Sequence, residues 1–142
     1  MSITRDQVVT CARSWLGTRW QHQQRLKGVA CDCAGLIIGV VRELYGIEVE
    51  VPNYGHDPHN DLMRTLCNRY LEPIDNRLAF LPGDVLLMTW DREPHHMGVA
   101  STVEGLPGLI HAYAQVRKVV EHHFDEKWLG RIVAAYSFPG VA

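Results

Sequence analysis

The spacing of the apolar residues changes near the middle of the chain, and this change constrains the fold more than any other feature. Up to Tyr70, apolar positions recur every three or four residues, which is typical of amphipathic helices. From Leu81 onward, short β-rich runs alternate with glycine, proline and charged residues, as in antiparallel strands. The pattern predicts an α+β fold in which N-terminal helices pack on an antiparallel β-sheet whose strands follow one another.

Three helices are predicted in the first half of the chain. A capping box of Thr4 and Gln7 opens the first, which should end before Gly17. The second begins at Cys33, and Gly46 stops it. The apolar face of the third is formed by Leu62, Met63, Leu66, Cys67 and Tyr70. The strands are predicted within VLLMTW, MGVASTV, GLIHAYA, RKVVEHH and RIVAAYSF.

Composition excludes several classes of protein. A chain of 142 residues with 46% hydrophobic content is long enough for one proper core, so residues 1–142 are predicted to form a single domain. A net charge of -2 and the absence of any basic run make a nucleic-acid partner unexpected. The N-terminus lacks the pattern of a signal peptide, and the run AGLIIGVV is too short to span a bilayer. We therefore expect synthesis in the cytoplasm and no membrane partner.

The cysteines are expected to be free thiols. A chain of this length without an export signal would be kept reduced. Cys11 and Cys67 fall on apolar helix faces and should be buried. The C-x-C pair has no matching second pair, and the nearest approach to a histidine ligand pair, His56 and His59, lies in a turn-rich segment. We expect no metal.

Cys33 is the candidate nucleophile. The N-terminus of a helix offers unpaired backbone N–H groups and the positive end of the dipole, and both favour a thiolate. Asp32 could cap this helix, although its charge opposes thiolate formation. Cys31 lies outside the helix and is the weaker candidate. The residues alone leave open whether Cys33 is reactive or only a small buried side chain.

Two histidines could complete a catalytic site with this thiol. His96 stands at the start of one predicted strand, close to a glycine that would let another chain segment approach, and His111 lies in the next strand. Neighbouring strands can place them side by side, so that one imidazole orients the other. Three more histidines are interpreted as solvated or structural: His95, His122 and His123.

Four motifs together resemble a known family. They are DCAGL at 32–36, LPGDVLLM at 81–88, HMGVA at 96–100 and IHA at 110–112. In order and spacing they are similar to the successive motifs of the NlpC family of bacterial cell-wall peptidases, over nearly the whole chain. The segments HQQRLKGVACDCAGL and RIVAAYSFPG more closely resemble the branch encoded among phage tail and gene-transfer-particle genes.

The resemblance implies a papain-like α+β core with Cys33 as nucleophile, His96 as general base and His111 as the residue that orients it. It implies no cofactor. The expected substrates are peptidoglycan stem peptides, cut at amide bonds, often between γ-D-glutamate and a diamino acid. The resemblance also implies a location in the virion tail, with action at the cell wall and tail hub or tip proteins as further partners.

Substrate-binding residues are expected near the nucleophile. Trp20, in GTRW, stands where many family members have a tyrosine, and it could stack on substrate without supplying a hydroxyl. Asp32 and Arg25 are further candidates. Arg19, Arg25 and Lys27 could each bind a substrate carboxylate or be solvated loop charges.

Two other functions stay open. The domain could be a structural or recognition component of a phage tail tip without turnover, because a fold does not fix a function; Trp90 and Trp128, if exposed, would suit such an interface. It could also be an acyltransferase that uses the same Cys-His pair. A cytosolic role in recycling wall fragments is equally compatible with the sequence.

Overall fold

The chain folds into helices packed on a six-stranded antiparallel sheet, as the computed structural model shows for residues 2–51, 61–90 and 94–142. The helices are α1 (Arg5–Arg13), α2 (Cys33–Tyr45), α3 (Leu62–Tyr70) and α4 (Glu126–Leu129). The strands are β1 (Arg25–Leu26), β2 (Ala30–Cys31), β3 (Glu72–Pro73), β4 (Val85–Met88), β5 (His96–Val103), β6 (Leu106–Tyr113), β7 (Lys118–His123) and β8 (Ile132–Ser137). The predicted α+β class is confirmed. The segment with His56 and His59 lies outside the described residues.

Local signals set the helix ends, as predicted. The Thr4 hydroxyl accepts the Gln7 N–H, and the Gln7 side chain accepts the Thr4 N–H in return. Asp32 caps α2, and Gly46 ends it in the left-handed conformation, with φ at 68°. The first helix is shorter than predicted, because turns replace it after Arg13.

The strand order is β3-β8-β4-β5-β6-β7. From β4 to β7 consecutive strands pair as predicted, but the prediction that every strand follows its predecessor is wrong at β8. This strand returns to pair with β4, whose backbone groups on that edge would otherwise be buried without partners. The sequence patterns also missed α4 and three two-residue strands, because segments so short carry no periodicity.

The two faces of the sheet have different neighbours. The helix face, which packs against α1 and α2, is lined by Val85, Leu87, Met97, Val99, Ile110 and Ala112. The distal face carries the alternate residues and a smaller cluster, formed by Leu86, Met88, Ala100, Leu109, Trp128, Ile132 and Ala135. Successive residues of each strand thus serve opposite sides.

The aspartate of LPGD joins α1 to the sheet. Asp84 is 1% exposed, and its Oδ1 accepts hydrogen bonds from Arg5 Nη1 at 2.7 Å and from Ser137 Oγ at 2.9 Å. Its Oδ2 accepts the Leu81 N–H at 2.8 Å. A buried carboxylate needs such partners, so this motif is structural.

All four cysteines lie in the described part of the chain. Cys11, Cys31, Cys33 and Cys67 are free and buried, which confirms the expectation for Cys11 and Cys67.

None of the helices in the described ranges combines the length and apolar character needed to cross a membrane.

Candidate active site

The DCAGL motif fixes Cys33 as the first residue of α2. The Asp32 carboxylate accepts the Gly35 N–H at 2.7 Å and the Gln23 N–H at 2.8 Å. Gly35 is required because a Cβ there would lie 2.0 Å from the carbonyl oxygen of Gln24. Both carboxylate oxygens of Asp32 thus hold backbone, and the structure uses this candidate substrate-binding residue as a helix cap.

The Cys33 sulfur lies against the backbone on both sides of His96. Its thiol is 3.9 Å from the carbonyl oxygen of His95, to which it donates. The amides of Met97 and Ala34 donate to the sulfur. Cys33 as a whole is 8% exposed, so the thiol is held at the junction of α2 and the start of β5.

The environment of Cys33 favours the neutral thiol. Burial raises its pKa from 9.0 to about 12, and the Asp32 carboxylate adds to this, while the two backbone amides lower it. The expectation that a helix start favours the thiolate is therefore outweighed in this structure. A base must remove the proton for the sulfur to react.

His96 and His111 are neighbours, as predicted. They lie on the distal face of β5 and β6, and His96 Nε2 is 2.7 Å from His111 Nδ1. Gly98 permits this approach, because a Cβ there would lie 3.0 Å from the Cβ of His111 and 2.5 Å from Leu109 Cδ1. The glycine of HMGVA thus serves strand packing beside the histidines.

His122 extends this pair into a row of three imidazoles. Its Nε2 is 2.8 Å from His111 Nε2, and its Nδ1 is 2.8 Å from the carbonyl oxygen of His123. The sequence interpretation of His122 as solvated or structural missed this contact. Only the register of β6 and β7, in which Leu109 pairs with His122, brings the ring beside His111.

Two other histidines of the described part of the chain, His95 and His123, lie outside the row. His123 is exposed, with Nε2 3.5 Å from Glu104 Oε1. The His95 ring packs on Trp90, with centroids 4.9 Å apart.

Aromatic rings enclose the row, which we name the histidine row (His96, His111, His122). Trp128 is 9% exposed and meets His111 edge-on at 5.0 Å, while Trp90 meets His96 edge-on at 5.2 Å. The two tryptophans therefore pack against the row rather than form the exposed surface that a docking role would need.

Burial keeps the inner imidazoles neutral. It lowers the pKa of His96 from 6.5 to about 3 and that of His111 to about 2. The positive charge of Arg131 lowers both values further. A neutral imidazole keeps one ring nitrogen with a lone pair, which is the form that accepts a proton.

The other predicted binding residues have structural partners. Trp20 is half-buried, forms a β-bridge with Cys31 and packs against the core of the helix face. Arg25 Nη1 donates to the carbonyl oxygen of Val49 at 3.2 Å, beyond the end of α2 opposite Cys33.

The two remaining loop cations differ in their surroundings. Lys27 Nζ is 2.8 Å from Glu43 and lies 5.8 Å from the centroid of the Trp15 ring. Arg19 is exposed. Trp20 and Arg25 both pair with Cys31, two residues before Cys33.

The histidine row is not arranged as a metal site. Within the described ranges, no group of three or more His, Cys, Asp or Glu could hold a metal ion. Nitrogens bound to one zinc ion lie roughly 3.3 Å apart, because each Zn–N bond is about 2.0 Å long and the geometry is tetrahedral. The row instead has N···N distances of 2.7 and 2.8 Å, which are hydrogen bonds.

Solved structures share this fold. The NlpC/p60 domain of the peptidoglycan hydrolase SagA matches with a TM-score of 0.68 at 16% identity, over 96% of this chain and 100% of that one. NlpC2 from Trichomonas vaginalis matches with 0.67 at 17% identity, over 94% of this chain and 46% of its own. An N-acetylmuramoyl-L-alanine amidase from Bacteroides uniformis matches with 0.58 at 12% identity, over 93% of this chain and 96% of its own.

These likenesses establish the architecture. The fold is that of NlpC/p60 domains, and the expected papain-like class is confirmed. The chain spans less than half of the length of the Trichomonas protein. No protein-family model matches the sequence, and no curated protein matches it.

Proposed function

We propose that this chain is a cysteine endopeptidase of the NlpC family that hydrolyses amide bonds in peptidoglycan stem peptides. The observation that carries the proposal is the position of the Cys33 sulfur against the backbone on both sides of His96, whose ring is bonded to His111. A thiol, a neutral base and a residue that orients the base are what nucleophilic acyl transfer requires. The names of the structural neighbours, a peptidoglycan hydrolase and a muramoyl-alanine amidase, support the substrate class.

The first half-reaction forms a thioester. Cys33 Sγ attacks the scissile carbonyl carbon while its proton passes to Nδ1 of His96, the ring nitrogen that is not bonded to His111. The backbone N–H of Cys33 at the start of α2 stabilises the oxyanion. The tetrahedral intermediate collapses as the C–N bond breaks, and His96 returns the proton to the leaving amine.

The second half-reaction restores the enzyme. His96 takes a proton from water, whose oxygen attacks the thioester carbon. The C–S bond breaks, the stem-peptide carboxylate is released and the sulfur regains its proton. Because the pKa of Cys33 is raised to about 12, deprotonation of the thiol accompanies attack rather than preceding it.

The finer assignments belong to the same proposal. The bond cut is that between γ-D-glutamate and a diamino acid, and Trp20 walls the groove beside Cys33. The segments HQQRLKGVACDCAGL and RIVAAYSFPG support placement in the phage-tail branch. There the protein would open the wall locally from the virion, in contact with tail hub or tip proteins.

Digestion of purified peptidoglycan and of a tripeptide stem fragment, read by mass spectrometry, tests the function. We expect the native protein to release new amine termini and Cys33→Ala to be slower by about 10⁴-fold or more, as for other nucleophile deletions. The Cys33→Ala melting temperature should stay within a few degrees of the native value. Equal cleavage by both proteins would contradict the proposal.

One observation favours the non-catalytic alternative. Cys33 is only 8% exposed, so a tail component without turnover could keep the same thiol closed to substrate. Failure of both peptide cleavage and Cys33 labelling by iodoacetamide would support that alternative. Transfer to an added amine that outpaces hydrolysis would instead identify an acyltransferase.

A further inference from the structure

The outer end of the histidine row has a fixed donor. The carbonyl oxygen of His123 can only accept a hydrogen bond. Since it lies 2.8 Å from Nδ1 of His122, that nitrogen must carry the hydrogen.

Counting the ring hydrogens then fixes the whole row. With all three imidazoles in the neutral form, they carry three N–H hydrogens between them. The row makes three hydrogen bonds, namely His122 to the His123 carbonyl, His111 to His122 and His96 to His111. Each bond needs one of those hydrogens. None remains for Nδ1 of His96, which therefore bears a lone pair.

We propose that His122 is a positioning residue, which sets the tautomer of His96 through His111 so that the free nitrogen of His96 can accept a proton. This proposal rests on the proposed role of His96 as the base for Cys33. In this arrangement the Nε2–H of His96 donates a hydrogen bond to Nδ1 of His111. The Nε2–H of His111 donates in turn to Nε2 of His122. The hydrogen on His122 Nδ1 ends the series at the carbonyl.

The arrangement also accommodates the proton that His96 removes from the thiol. A fourth hydrogen binds to the bare Nδ1 of His96 without breaking any of the three hydrogen bonds. Arg131 opposes this added positive charge on both His96 and His111. The ring of His122 packs on Trp128 of α4, with centroids 5.3 Å apart.

A pair of substitutions with opposite hydrogen-bonding character tests the proposal. In His122→Glu the carboxylate can only accept, so His111 should still donate toward position 122 and Nδ1 of His96 should stay bare. In His122→Lys the ammonium can only donate, so both tautomers should reverse and the hydrogen of His96 should move to Nδ1. His123→Gln is the matched control, because it removes an exposed neighbouring ring and keeps the backbone carbonyl.

Two readouts are needed. Long-range ¹H–¹⁵N spectra of the histidine-labelled protein show which ring nitrogen carries hydrogen, and iodoacetamide alkylation of Cys33 reports on its base without any peptide substrate. We expect His122→Lys to be alkylated about 10- to 100-fold more slowly, since general-base assistance contributes roughly 10²-fold or more. Its kcat should fall with little change in KM. His122→Glu and His123→Gln should stay within about 3-fold of the native alkylation rate.

The outcomes separate this proposal from the proposed function. Native tautomers in His122→Lys, or equal slowing of the Glu and Lys variants, would overturn the role of His122. If the spectra and alkylation rates follow the expected pattern while the native protein cuts no stem peptide, the positioning role stands and the proposed substrate is wrong.

Discussion

The helix face and the distal face of the sheet are built from the same strands, yet they differ in chemistry. Alternate residues of β5 and β6 go to one face or the other: Met97, Val99, Ile110 and Ala112 pack under α2, and His96 and His111 lie among aromatic rings. The helix face is a close-packed aliphatic core. The distal face holds imidazoles that burial keeps neutral in the folded protein. Pairing of β5 with β6 therefore places the apolar residues of one face and the His96–His111 pair of the other face at the same time.

Low pH should reveal the largest difference in stability between the two faces. Because burial lowers the pKa of His96 to about 3 and that of His111 to about 2, the unfolded chain, with values near 6.5, binds more protons below pH 6.5. Their contribution to stability is complete above that pH and is lost as the pH falls. Each histidine should lower the free energy of unfolding by up to about 1.4 kcal/mol per pH unit. We expect a loss of roughly 3 kcal/mol between pH 6.5 and 5.

Urea denaturation at several pH values measures this loss, with His111→Gln as the comparison variant. The variant should show a shallower pH dependence across the same window. Parallel curves for native and variant protein would mean that the distal face is not the acid-sensitive one.

The helix face should instead be sensitive to volume. A Cβ on Gly39 of α2 would lie 2.1 Å from Cζ2 of the buried Trp15 ring. We expect Gly39→Ala to destabilise the fold by about 1–3 kcal/mol through overpacking, despite the better helix propensity of alanine. Chemical denaturation at pH 7 measures the change.

Gly130→Ala is the matched control for that substitution. Its Cβ would come no closer than 3.4 Å to any atom, that atom being the Glu126 carbonyl oxygen. We expect a change within about 0.5 kcal/mol. Equal effects at Gly39 and Gly130 would show that the helix face is looser than its contacts indicate.

Asp32 caps α2 directly before Cys33. Asp32→Asn keeps an oxygen for the Gly35 N–H but cannot also accept from Gln23, so a stability loss of about 1 kcal/mol is expected. Removal of the charge should lower the pKa of Cys33 from about 12, because the carboxylate raises it. The pH dependence of Cys33 alkylation should then shift to lower pH.

Asp125→Asn makes the same change at the cap of α4, where Asp125 accepts the Trp128 N–H. It should leave the alkylation profile of Cys33 in place. A similar shift in both variants would argue against a local effect of the Asp32 charge.

The smallest effect is expected on the surface before α2. The ion pair of Lys27 and Glu43 is about one-third exposed on each side, so Lys27→Ala should cost no more than about 0.5 kcal/mol. Because Lys27 is already paired, KM for a stem peptide should not change. A clear rise in KM would restore Lys27 as a substrate-binding residue.

Local features of the sequence predicted the helices and the position of Cys33 at the start of α2. The boundaries of α2 follow from Asp32 and Gly46, which act within one helical turn of their positions. The short connection between the two predicted strands likewise predicted that His96 and His111 could be neighbours, because it leaves few other ways to pair the strands.

Features that depend on distant pairing escaped prediction. The position of β8 beside β4 and the contact of His122 with His111 both depend on strand register, which no local pattern specifies. The raised pKa of Cys33 depends on burial by β5. The helix-dipole argument concerned α2 and its cap, whereas burial of Cys33 in the folded chain acts in the opposite direction.

The strand order implies a sequence of events during folding. Only Glu104 and Gly105 connect β5 to β6, and a short turn connects β6 to β7, so these hairpins close at little entropic cost. The pairing of β8 with β4 and the docking of α2 on β5 join segments far apart in the chain, and such contacts form slowly. We therefore expect the histidine row to form with the early hairpins, before the docking of α2 brings Cys33 beside it.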